Sequence, residues 1–182
     1  MHAVSLDDVA ERLARVHQRV RDAGGTKVEI VAVTKGWDDS AIAAAVACGL
    51  TAIGENYAQE AVPKIAKARD QGLRFEAHFI GQLQSNKVRL LAESVDVWQT
   101  LDRADLVAEL SKRAPRARVM VQVNATGEPD KGGIDPSRAP SLVDQASAAG
   151  LDVVGLMAVG PTHAEPVATR AAFRAVRVLT DQ

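Results

Sequence analysis

The chain has 182 residues, 47% hydrophobic and 25% charged, and a formal net charge of −1. That is the balance of an ordinary soluble globular domain long enough to bury a core. It supplies no basic field or Lys/Arg block for nucleic acid and no apolar run of membrane-spanning length.

Residues 1–8 carry neither a basic n-region nor an apolar h-region, so a cytoplasmic location is expected. Ser5 and Asp8 read as a capping box. Leu6, Val9, Leu13, Val16 and Val20 then share one helical face until Gly24 and Gly25 end the run. Residues 28–35 form a β-branched stretch, apolar on both faces from Ile30 to Val33, which predicts a strand of a parallel sheet buried on both sides. It ends on Lys35, at the strand end where α/β proteins keep their sites. A lysine held partly out of water there has a lowered pKa and presents a neutral amine able to form a Schiff base with a carbonyl. The alternative is a solvated loop lysine.

Asp38, Asp39 and Ser40 offer N-caps for a helix over 41–48, stopped by Gly49. Cys48, the single cysteine, excludes an intrachain disulfide and fits a reducing compartment. A strand over 51–54 delivers Glu55 and Asn56. The helix after it runs to about Gln71, with Pro63 near its first turn or at a kink, Glu60 and Lys64 paired at i,i+4, and Gly72 as cap. Residues 75–81 read as a strand containing His78, 85–93 as a helix and 95–101 as a strand. Asp102 with Asp105 caps a helix to about Arg113. The strand over 119–124 opens into a glycine-rich loop, 125–133, whose length points to function or disorder. Asp135 and Pro136 start a helix that Gly150 ends; 153–159 is the last strand, and Pro166 opens the last helix. Histidines 2, 17, 78 and 163 are scattered, and no metal site is expected.

One helix followed by six strand-then-helix units predicts a parallel sheet with right-handed crossovers, in a single domain over 1–182. A doubly wound sheet and a barrel both satisfy the alternation, and a closed (β/α)8 barrel needs eight units. At or just past the strand ends stand Lys35; Glu55 and Asn56; Gly81, Gln82, Gln84 and Asn86; Thr100 and Asp102; Asn124 and Lys131; Met157 and Gly160. Amides, glycines and a lysine suit a polar, partly anionic small molecule, and no paired-carboxylate hydrolase pattern is present. Bland readings stand beside several of these: Asp102 as an N-cap, Asn56 closing a turn, His78 as a hydrogen-bonded strand histidine, Met157 as core packing.

The stretches Ala32-Val-Thr-Lys35, Gly54-Glu-Asn-Tyr-Ala-Gln-Glu60, His78-Phe-Ile-Gly-Gln-Leu-Gln-Ser-Asn-Lys87, Lys131-Gly-Gly133 and Gly155-Leu-Met-Ala158 resemble, in matching order, the motifs of the pyridoxal-phosphate homeostasis family. The decapeptide ending at Lys87 is the most specific. The resemblance implies an α/β fold of (β/α)8 TIM-barrel type, similar to the amino-terminal domain of alanine racemase, with six of the eight βα units in this chain. It implies pyridoxal 5′-phosphate held on Lys35 as a Schiff base and Asn56 beside it. On the same resemblance His78, Asn86, Lys87, Lys131 and Met157 are expected as further cofactor-binding positions, with no catalytic residue and no metal expected. The role it implies is to keep the cofactor in supply and under control, without turnover.

The residues agree with that role. No racemisation base of tyrosine type is in reach, since Tyr57, the only tyrosine, lies in the second strand-to-helix loop. The family's phosphate cup and ring-nitrogen partner resemble Ser-Met-Gly-Met-Ser-x-Asp and Val-Arg-Ile-Gly, and neither motif occurs here. The chain is therefore expected to be incomplete as given, or truncated with weakened cofactor binding. A complete protein is expected to be a monomer; a true truncation leaves unpaired edges and is expected to self-associate or aggregate. The enzymatic alternatives are a racemase-like reaction dependent on pyridoxal phosphate and a cofactor-free lysine Schiff-base aldolase.

Overall fold

The computed structural model describes residues 4–162 and 166–181, so His2 and His163 of the four histidines lie outside the described residues. The chain divides into two units, Met1–His78 and Phe79–Gln182. In the first, Ser5 caps α1 (Leu6–Asp22) as expected, its hydroxyl accepting from the Asp8 amide at 3.1 Å. Then follow β1 (Val31–Val33), α2 (Ser40–Ala47), β2 (Ala52–Glu55), α3 (Ala58–Asp70) and β3 (Glu76–Phe79), whose last residue belongs to the second unit.

The strands of the first unit lie in chain order, and β1 pairs in parallel with β2 in the register Val31 to Ala52, Ala32 to Ile53 and Val33 to Gly54. Every residue of β2 is buried, and the helices around it bury mainly small side chains: Ala41, Ala44 and Ala45 in α2, and Ala58, Ala61 and Ala68 in α3. β1 departs from the expectation of burial on both faces. It spans three residues and Val33 is 48% exposed, because β1 stands at the end of the strand order and pairs on one side only. α1 covers it loosely; none of its residues is fully buried.

The second unit contains a 3₁₀ turn (Ser85–Lys87), α4 (Val88–Leu91), β4 (Val97–Leu101), α5 (Ala104–Arg113), β5 (Arg118–Gln122), a second 3₁₀ turn (Pro136–Arg138), α6 (Ala139–Ala148), β6 (Asp152–Met157) and α7 (Pro166–Thr180). β4, β5 and β6 also lie in chain order and pair in parallel. The core gathers around Trp98, which meets Phe79 ring to ring at 6.4 Å, with Leu101, Leu106, Leu110, Val119 and Val121. The predicted 85–93 helix is two short pieces.

Asp102 and Asp105 do not cap α5. Arg103 holds the N-cap position, and its guanidinium claims both carboxylates, Asp102 at 2.8 Å and Asp105 at 3.0 Å, together with the Leu83 carbonyl at 2.9 Å. Asp135 does cap its turn, accepting from the Ser137 amide at 2.8 Å. No helix among the described residues is long and apolar enough to cross a membrane. Among the described residues no three His, Cys, Asp or Glu side chains gather as a metal-holding group.

Candidate functional site

The chain leaves β1 through Thr34, whose amide continues the parallel ladder by donating to the Gly54 carbonyl at 3.0 Å. It then turns at Lys35 and Gly36, and the Trp37 amide closes the turn on the Thr34 carbonyl at 3.2 Å. Gly36 sits at φ +77°, a conformation that costs a side-chain-bearing residue about 1 kcal/mol or more. Two groups of α3 hold this turn. Glu60 accepts from the Gly36 amide at 3.2 Å. The Lys64 ammonium donates to the Thr34 carbonyl at 2.8 Å and the Trp37 carbonyl at 2.9 Å, and meets Glu55 Oε1 at 2.7 Å.

This overturns the expected i,i+4 pair of Glu60 with Lys64. The reason lies in the helix stripe: Ala61, Lys64, Ile65 and Ala68 share the buried face of α3. The Lys64 side chain is only 4% exposed, and a buried ammonium needs acceptors on all its protons. Glu55, 1% exposed at the end of β2, meets that need, and Thr34 donates its hydroxyl to the same Glu55 oxygen.

The register brings two of the predicted residues level. Lys35 lies two residues past Val33 and Asn56 two past Gly54, and those two positions are partners in the ladder. Lys35 is exposed, not held partly out of water as the sequence suggested, because the edge strand before it is itself open. Among the described residues its amine makes no hydrogen bond or ion pair. Asn56 is half-buried, and its Oδ1 is buried without a hydrogen-bond partner among the described residues, as is Glu55 Oε2. His78 lies mid-strand in β3, 6% exposed, with Nε2 on Glu76 Oε1 at 2.9 Å. The Glu76 amide binds the Thr51 carbonyl, so His78 stands lower on the sheet than Asn56.

In the second unit Asn86 is exposed and Lys87 half-buried in the 3₁₀ turn. Arg103 steadies this segment through Leu83, while Ser85 donates to Asp105 at 2.7 Å; that bond first, then the guanidinium, holds the Asp105 carboxyl below its usual range. Thr100 donates its hydroxyl to the Gly81 carbonyl at 2.7 Å, a structural use of a rim residue.

Lys131 and Met157 come to the same end of the sheet. Met157 pairs with Gln122 at the end of β6, and Lys131 reaches the Gly160 carbonyl just beyond it. The 125–133 loop is ordered by Asn124. Its Oδ1 accepts from the Thr126 amide and hydroxyl and from the Gly127 amide, and its Nδ2 donates to the Glu128 carbonyl at 2.9 Å. Lys131 binds Glu128 at 2.7 Å, and this contact first, then the Thr126 and Thr162 hydroxyls, holds the Glu128 carboxyl at about 2. Lys64, Thr34, Glu60 and Glu128 are the residues that sequence reasoning missed in these roles. For Lys64 a signal was present in its place within the alanine stripe.

Lysine and amide thus stand just past adjacent ends of parallel strands, in an α/β protein. The alanine racemase of Bacillus anthracis has the same fold, with a TM-score of 0.71 at 16% identity over 95% of this chain and 45% of the racemase. No family model matches the chain. The pyridoxal phosphate homeostasis protein of Haemophilus influenzae is 41% identical over 161 residues, 85% of this chain and 68% of the relative. PipY of Synechococcus elongatus, solved with PLP bound, is 29% identical with a TM-score of 0.78 over 95% of this chain and 80% of that one. The chain belongs to the pyridoxal phosphate homeostasis protein family.

Proposed function

We propose that this chain carries pyridoxal 5′-phosphate on Lys35 and contributes to the supply and control of that cofactor without turning over a substrate. One observation carries the reading: an exposed, uncommitted lysine amine stands on a turn fixed by its neighbours, level with a buried Asn56 oxygen that has no partner. PipY with PLP bound supports the choice of cofactor, and the relatives' names are those of homeostasis proteins rather than of a reaction. When bound, the cofactor supplies an aldehyde for an amine and an electron-withdrawing ring.

On this reading Lys35 supplies the amine and Asn56 Oδ1 an acceptor beside it. His78, Asn86, Lys87, Lys131 and Met157 are kept as cofactor-binding positions by the resemblance alone. The ring of His78 is engaged with Glu76, and the Lys131 ammonium is neutralised by Glu128. The finer architecture belongs to the same proposal. It is a (β/α)8 barrel with residues 1–182 as one cofactor-binding domain carrying six of eight βα units, supported by the likeness to alanine racemase. A cytoplasmic location and the choice between monomer and self-associating form also belong to it, and sedimentation velocity measures the latter.

The test is borohydride reduction after incubation with pyridoxal phosphate, read by intact mass and peptide mapping, on this chain and on Lys35→Ala. A single adduct on Lys35 that vanishes in Lys35→Ala supports the reading. No adduct, or labelling spread evenly over the seven lysines, refutes it.

A further inference from the structure

Lys64 is the one lysine of the first unit that is almost wholly enclosed, and its three proton positions are all taken. It meets Glu55 Oε1 at 2.7 Å, the Thr34 carbonyl at 2.8 Å and the Trp37 carbonyl at 2.9 Å. The two carbonyls are the residues on either side of Lys35 and Gly36. A cation bound to both ends of a two-residue turn sets the distance between those ends, and so the path of the backbone between them. Burial makes the hold firm: the enclosed ammonium cannot exchange its acceptors for water without separating α3 from β2.

We infer that Lys64 is a positioning residue, whose ammonium fixes the Thr34–Trp37 turn and thereby sets the direction in which Lys35 presents its amine to the cofactor. Glu55 is the counter-charge that keeps this ammonium in place, itself oriented by the Thr34 hydroxyl. The arrangement separates two jobs among lysines of one unit. The exposed one reacts and the buried one aims it. The inference rests on the assignment of the cofactor to Lys35, and a single-residue charge deletion is avoided in its test because it leaves a buried carboxylate alone.

The experiment compares the parent chain with Lys64→Met/Glu55→Gln, in which both charges are removed together and the side-chain stems are kept. Hydrogen exchange without cofactor reads the turn directly. The expected result is a double variant with the parent's far-ultraviolet circular dichroism, in which the amides of Gly36 and Trp37 exchange at least about tenfold faster. With pyridoxal phosphate, borohydride trapping on Lys35 is expected to slow by about tenfold or more. The share of adduct on Lys35 relative to the other lysines falls, and the visible circular dichroism of the bound chromophore weakens. A merely structural role would lower the melting temperature and leave that share and that dichroism unchanged.

A folded double variant that loads Lys35 at the parent's rate and selectivity overturns the inference. So does rapid exchange of the Gly36 and Trp37 amides in the parent itself, which decides the matter even where the variant does not fold. If the parent forms no adduct on Lys35, the cofactor assignment fails. The exchange comparison then still reads the hold of Lys64 on the turn.

Discussion

Replacing Lys64 by methionine is the sharpest test of the packing under the Lys35 turn. The substitution keeps the stem in the alanine stripe of α3 and removes only the ammonium. Glu55 is then left as a carboxylate 1% exposed, with the Thr34 hydroxyl on one oxygen and nothing on the other. The Thr34 and Trp37 carbonyls also lose a donor. Breaking a buried pair in this way costs about 3–5 kcal/mol. In a chain of this size that lowers the melting midpoint by about 6–20 °C. Glu55→Gln is milder, about 1–3 kcal/mol, since two carbonyls still receive the ammonium. The double variant strands neither charge, and its remaining cost is that of the two carbonyls, about 1–3 kcal/mol. It is therefore expected to be more stable than Lys64→Met alone. Urea unfolding at pH 7, with slopes checked for constancy, measures all three. A loss below about 1 kcal/mol for Lys64→Met, or single effects that add to within about 0.5 kcal/mol, refutes the coupled buried pair.

In the 125–133 loop, Gly133→Ala and Gly127→Ala separate two kinds of glycine. A Cβ on Gly133 would lie 2.6 Å from the Asn124 amide nitrogen, at φ +114°, whereas one on Gly127, at φ +69°, meets nothing within 4 Å. Thermal melts should show a loss of about 1 kcal/mol for Gly127→Ala and clearly more for Gly133→Ala; equal losses would contradict the close approach. The depressed Glu128 carboxyl sets the acid response of the same loop. Its stabilising contribution is fully present above the ordinary value of about 4.5 and is lost as pH falls through about 2. The protection of the loop amides, taken relative to their intrinsic exchange at each pH, should fall over that window in the parent and not in Glu128→Gln. Trp98→Ala, at a fully buried ring tilted against Phe79, is expected to cost about 3–5 kcal/mol in denaturant unfolding, and a cost under about 1 kcal/mol would argue against that core.

The strand-helix alternation was legible because hydrophobic period and turn chemistry are local. Ser5, Gly72 and Asp135 do what their neighbours in sequence require of them. What could not be read locally is where a charged side chain finds its partner. Helix spacing pairs Lys64 with Glu60, yet α3 packs that face inward and delivers the ammonium to groups 27 and 30 positions earlier. Arg103 likewise draws Asp102 and Asp105 away from the helix end they were expected to cap. The first and third strands are shorter at both ends than their apolar runs, because apolar residues continue beyond the last paired amide, whereas β2 ends one residue later and β5 and β6 begin one residue earlier than expected. The exposure of Lys35 follows from how β1 is covered, which no window of its own residues reports.

The long reach of Lys64 also sets an order in time. During synthesis at about 5–20 residues per second, Lys35 exists for about 1–6 s before residue 64 is made. Through that interval nothing distinguishes it from any other amine on a nascent chain. The hold on the Lys35 turn arrives with α3, and all of its parts lie within the first 78 residues. On the proposed assignment, the lysine that would take the cofactor is translated early, and the group that holds its turn is translated later.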